Sequence, residues 1–140
     1  MKKIALFVEG QTEQIFLHKL ITEILGRDTT SVILKRSIGG SNAPRQELVR
    51  HASLVRKPKY YVLINDCGAD NRVKSEILEN IESLSESGFH CIVGLRDLYP
   101  LSLEDLPRLE RGLKFLPKNY QKYNQNLDII VVVQEVETWF

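Results

Sequence analysis

"YYVLINDCGAD", positions 60–70, passes without a break from an apolar run into Asn65, Asp66 and Asp70. Residues 60–64 are apolar or β-forming at both alternating positions, with Pro58 just upstream and Gly68 just downstream. A short run of that kind predicts a strand buried on both faces, as in a parallel sheet. Burial on both faces needs helices above and below, so this stretch decides the class. The chain reads as α/β, a mostly parallel central sheet flanked by helices in three layers.

Working outward, residues 4–8 (IALFV) and 91–95 (CIVGL) predict two more buried strands, and 128–133 (DIIVVV) a further one buried on both faces. Residues 11–25 carry Ile15, Phe16, Leu20, Ile21, Ile24 and Leu25 at helical spacing, with Gly26 placed to end the helix. Residues 73–87 do the same with Val73, Ile77, Leu78, Ile81 and Leu84, ending at Gly88. Residues 31–36 are β-rich but end in Lys35 and Arg36, which makes them the candidate for an edge strand running the other way. After a loop over 38–43, Pro44 suits the first turn of a helix over 45–56, whose apolar face would be Leu48, Val49, Ala52 and Val55. Residues 101–116 predict a last helix, broken at Pro107. Strands and helices thus alternate from end to end.

The 140 residues suit one domain, 1–140, and 43% hydrophobic content supplies a core without disulfides. Cys67 and Cys91 have no CxxC spacing, which fits a reducing, cytoplasmic setting. No run approaches membrane-spanning length, so no membrane association is expected. The net charge of +1 argues neither for nor against nucleic acid as a partner. The positive charge is nonetheless local: Lys35, Arg36, Arg45, Arg50, Arg56, Lys57 and Lys59 are opposed only by Glu47. Trp139 and Phe140 leave two large apolar side chains at the end of the sequence, which points to a further C-terminal region or a homodimer contact.

The strand exits share a chemistry. The strand over 4–8 leads into Glu9, that over 60–65 into Asp66, that over 91–95 into Asp97, and the last into Glu135 and Glu137. In a parallel sheet these exits lie along one edge, where α/β proteins build their sites. Two bare carboxylates about 4 Å apart repel by about 4 kcal/mol at a surface-like dielectric, so converging acids call for proton sharing or a cation. An all-oxygen site suits Mg²⁺ or Mn²⁺; His18, His51 and His90 lack the spacing of zinc ligands. Carboxylate-held divalent ions beside basic patches belong to phosphoryl chemistry.

Phe7-Val8-Glu9-Gly10-Gln11-Thr12-Glu13 resembles the strand-Glu-Gly-x-x-Glu element that opens Toprim-type domains, nearest to the overcoming-lysogenization-defect nucleases and the uncharacterised Toprim-like proteins of bacteria. The resemblance implies a Toprim- or Rossmann-like sheet, Mg²⁺-dependent cutting or joining of phosphodiesters, and a place in phage defence. It matches Glu9 to the family's first glutamate, Glu13 to the second acid of the nuclease branch, Asp66 to the first aspartate of an Asp-x-Asp element and Asp97 to the acid after the next strand. Glu135 and Glu137 fall in a glutamate-aromatic ending similar to that of the uncharacterised branch. Gly68 stands where the family has a second aspartate, with Asp70 the nearest substitute, and this departure argues against topoisomerase or primase activity.

The leading expectation is therefore a metal-dependent nuclease or related phosphodiester-processing domain. Glu9, Asp66 and Asp97 would hold Mg²⁺ or Mn²⁺, with Glu13 and Glu135 or Glu137 at a second position or as base. Arg45, Arg50, Lys57 and Lys59 would contact the backbone of DNA or RNA. The alternative is a non-catalytic binding or regulatory module on the same fold, its acids serving as caps and ion pairs.

Overall fold

The computed structural model describes residues 1–39 and 43–133, with the main chain only at position 70. Its element order is β1 (Lys2–Val8), α1 (Gln11–Leu25), β2 (Thr30–Ile38), β3 (Gln46–Ser53), β4 (Tyr60–Asp66), α2 (Val73–Glu86), β5 (Phe89–Asp97), α3 (Leu106–Lys114) and β6 (Leu127–Val132). Single-turn 3₁₀ segments precede α2 and α3, and a longer 3₁₀ run, Lys118–Asn126, leads into β6. The strands form one six-stranded sheet in the order β3-β2-β4-β1-β5-β6. Every neighbouring pair is parallel except β2–β3. The expected α/β class with a mostly parallel sheet is what the chain adopts.

Alternation along β1 divides the core. Leu6 and Val8 face α1, packing with Leu17, Val32, Leu34, Val62 and Ile64. Ala5 and Phe7 face α2 and α3, packing with Leu63, Val73, Ile77, Ile81, Ile92 and Leu113. The period-2 pleat thus puts one helix on one face and two on the other, and the central strands are apolar throughout because both faces are covered. No helix among the described residues is long and apolar enough to cross a membrane.

Four local expectations are corrected. The segment expected as a helix over 45–56 is the strand β3, antiparallel to β2. Its Leu48 and Val49 are 51% and 62% exposed, so no apolar stripe is buried; the main-chain ladder to β2 holds the segment instead. With β3 outside it, β2 is an interior strand that runs parallel to β4, not a reversed edge. The last strand, β6, is an edge strand: Ile129 and Val132 are buried, whereas Asp128 and Ile130 are exposed. Pro107 stands in the first turn of α3, which it begins instead of breaking a longer helix.

Packing of α2 against β5 depends on Gly94. A Cβ built there would lie 2.8 Å from Ile77 Cδ1 and 2.9 Å from Val73 Cγ1. The missing side chain is what lets the helix approach so closely. Gly94→Ala is expected to destabilise the fold by about 1–3 kcal/mol, the usual cost of overpacking, read as a lower urea midpoint.

Candidate metal centre

The chain leaves β1 at Val8 and enters α1 at Gln11, so only Glu9 and Gly10 lie between them. Glu9 is therefore fixed at the carboxyl end of a central strand. Glu13, in the first turn of α1, lies one helical turn into the positive end of the helix. Asp97 ends β5, the parallel neighbour of β1. Glu9, Glu13 and Asp97 each offer a carboxylate oxygen, and these atoms lie within 4.8 Å of one another. Among the described residues this is the one group of His, Cys, Asp and Glu side chains so arranged.

The trio is built into the backbone. The Asp97 main-chain N–H donates to Glu9 Oε1 at 2.7 Å, tying the first carboxylate to the strand that carries the third. Glu9 and Glu13 are 7% and 8% exposed. Three carboxylates so close, two of them largely out of water, offer together the oxygen ligands that a divalent cation takes. No imidazole or thiol enters the group.

Gly10 controls the position of Glu13. Its φ of −159° is extended backbone open to any residue, so conformation does not demand glycine. Space is tight, however: a Cβ at position 10 would come within 3.2 Å of Glu13 Oε2, the far end of a flexible side chain. Gly10→Ala should displace that carboxylate by a few tenths of an ångström and weaken Mn²⁺ binding by about tenfold, as supporting residues at metal sites commonly do. Calorimetric titration checks it, with an unchanged urea midpoint showing that the fold is intact.

Asp66 stands at the same sheet edge, in register with Val8, but is not a member of the trio. Its Oδ2 accepts from Arg50 at 3.1 Å and its Oδ1 from the Gly68 main-chain N–H at 2.9 Å. Gly68 has φ +82°, a left-handed conformation that costs a side chain about 1–2 kcal/mol, so the turn after β4 favours glycine there.

The basic residues are divided. Arg50 is the residue skipped where the β2–β3 register shifts, between the pairs Leu34–His51 and Lys35–Val49. The bulge turns its guanidinium toward Asp66 and the Gln14 Oε1, the latter at 2.6 Å. Arg45 pairs with Glu79 at 2.6 Å and lies 3.6 Å from Glu76. Lys57 and Lys59 are exposed just before β4 begins, at the opposite rim from the acids. The length of β4 separates the two rims by roughly 20 Å. The four residues therefore do not make one contiguous surface with the trio. Glu135 and Glu137, like Trp139 and Phe140, lie outside the described residues.

Two structural residues escaped the sequence reading. Gln14 is fully buried, and its Nε2 donates to the carbonyls of Lys35 and Ile64, bracing α1 against β2 and β4. Glu76 is also fully buried; its Oε2 accepts from Ser37 Oγ at 2.7 Å and Asn65 Nδ2 at 2.8 Å. Each had a signal: Gln14 precedes Leu17, Ile21 and Leu25 on one helical line, and Glu76 precedes Ile77 in the stripe of α2. Beside Glu76, burial pushes the Cys67 thiol far above its ordinary range, with the neighbouring carboxylate adding to the shift, so this cysteine stays protonated and inert.

Comparison of the chain with protein-family models, with curated proteins and with solved structures finds no match in any of the three.

Proposed function

We propose that the chain is a divalent-cation-dependent phosphodiester-processing domain, with nuclease activity as the leading form. The observation that carries the proposal is the convergence of Glu9, Glu13 and Asp97 on one point at the carboxyl edge of the sheet. The resemblance of residues 7–13 to the Toprim opening element supports the same chemistry. Bound there, Mg²⁺ or Mn²⁺ would supply an activated water and neutralise charge on a phosphate. The chain's own part is to hold the three carboxylates in place, through the Asp97 amide on Glu9 and the close approach of Gly10 to Glu13. Arg50, held at the same edge by Asp66 and Gln14, is the cation best placed to meet the backbone of DNA or RNA.

The test combines Mn²⁺ calorimetry with nicking of supercoiled DNA and cleavage of RNA, in Mg²⁺, in Mn²⁺ and in EDTA. Metal binding with cation-dependent cleavage, both lost in Asp97→Asn, is the expected result; absence of metal binding removes the proposal. Binding without cleavage would favour a regulatory or binding module on this fold. That second reading has its own support, because both Asp66 oxygens already have protein partners.

A further inference from the structure

Along β5 the pleat sends alternate residues to opposite faces: Val93 and Leu95 pack with the α1 layer, Ile92 with the α2 layer. Asp97 continues the first series and meets Glu13 of α1. Arg96 belongs to the second. It lines an open cavity of about 510 Å³ between α2 and α3, one residue from the trio but on the other face of the sheet. The volume falls in the range of small-ligand sites.

The charge around this cavity is of one sign. Arg96, Lys74 and Arg108 line it, and no acid among the described residues does. Arg108 is paired with Asp105 at 3.0 Å, so the unbalanced charge rests with the other two. Lys74 Nζ donates to the carbonyls of Gly112, at 2.6 Å, and Phe115 in the last turn of α3, which leaves one of its three N–H groups. No described carboxylate lies within ion-pair distance of Lys74 or Arg96. Burial holds the Lys74 ammonium below its ordinary pKa range, the direction that an arriving anion would reverse. The Arg96 Nε is sealed in the protein without an acceptor, so the terminal nitrogens of this half-buried guanidinium are the ones open to the cavity. Beside the cations, Leu78, Leu109 and Leu113 form an apolar wall. A paired cationic floor and an apolar wall describe a ligand with an anionic group next to a less polar body.

We propose that this cavity seats one nucleotide of a single-stranded DNA or RNA substrate, its phosphate on Arg96 and Lys74 and its base against the leucine wall. The choice of nucleic acid as ligand rests on the function proposed above. Arg50 reaches Gln14 on the α1 side of the sheet edge, so a strand meeting Arg50, the trio and Arg96 would cross that edge from one face to the other. The contact to Arg96 needs no metal.

Anisotropy titration of the full chain with short labelled single-stranded DNA and RNA, in EDTA and over a range of salt, tests it. Arg96→Met keeps the apolar stem and removes the guanidinium. The parent should bind at least one probe and Arg96→Met about tenfold more weakly, with a slope of log K against log salt shallower by about 0.7, the share of one phosphate contact. Ser75 is exposed, lines the cavity and stands in the first turn of α2, where an acid suits the helix. Ser75→Glu should therefore weaken strand binding at an unchanged urea midpoint. Arg27→Gln removes the same charge at the opposite rim, between α1 and β2, and should bind as the parent does. No binding of either probe at low salt, an unaltered salt slope in Arg96→Met, or equal weakening in Arg27→Gln would each overturn the proposal. Mn²⁺ calorimetry on the same proteins separates the two readings. Metal binding by the parent without these strand effects removes the pocket and leaves the trio; strand effects without metal binding do the reverse.

Discussion

Replacing Glu76 by alanine is expected to cost about 3–5 kcal/mol of folding stability, the scale seen when one member of a buried charged group is removed. That is a large part of the roughly 5–15 kcal/mol available to a domain. Glu76 is fully buried and joins three elements: Ser37 on β2, Asn65 on β4 and its own helix α2. Its other oxygen lies 3.6 Å from Arg45 and 3.5 Å from Arg72, so two guanidinium groups also depend on it. Truncation leaves the Ser37 hydroxyl and the Asn65 amide buried without their acceptor and takes a carboxylate from beside both arginines, of which Arg45 keeps Glu79. Glu76→Gln keeps an acceptor oxygen and loses the charge, so about half that cost is expected. Urea unfolding of the three proteins measures the series. A loss below about 1 kcal/mol in the alanine variant would mean that water reaches these groups and that the network is not a structural centre.

The second large effect is expected at Glu9 and has opposite signs with and without metal. In metal-free buffer Glu9→Gln removes one of three clustered negative charges while keeping an oxygen for the Asp97 amide. The variant should then melt at or above the temperature of the parent. With Mn²⁺ the order reverses. A ligand that binds only the native state adds about 2.7 kcal/mol of stability at a concentration of 100 times its Kd. The parent should therefore rise in melting temperature as Mn²⁺ is added and the variant should stay flat. Its affinity should fall by about a hundredfold or more, beyond the tenfold expected of Gly10→Ala because a ligand itself is altered. Equal Mn²⁺-induced shifts in the two proteins would remove Glu9 from the site. A metal-free variant less stable than its parent would show that the trio is a hydrogen-bonded structural unit, not a cluster under repulsion.

The amino-acid sequence by itself determined the class of this protein and the axis of its site. Continuous apolar strands at 4–8 and 60–64 can only be buried on both sides, and helices over 11–25 and 73–87 supply the covering layers, the first through Phe16, Leu17, Ile21 and Leu25 while Ile15, Leu20 and Ile24 of its expected stripe stay exposed. Parallel strands must exit on one edge, so Glu9, Asp66 and Asp97 were legible as sharing that edge, but not which of them would meet. Three things were decided only in the tertiary structure. Residues 46–53 carry apolar side chains at helical spacing, yet they form a strand because the outer edge of β2 offers a main-chain ladder, a long-range term that local pattern does not contain. The choice of partners for each acid was likewise invisible. A one-residue bulge brings Arg50 to Asp66, which stays outside the trio, while α1 carries Glu13 in to complete it. The burial of Gln14 and Glu76 depends on β2, β4 and the helices meeting around them, and a polar residue in an apolar stripe shows where such a meeting occurs but not with whom. Periodicity reports which face a residue occupies; only the folded chain reports what stands opposite.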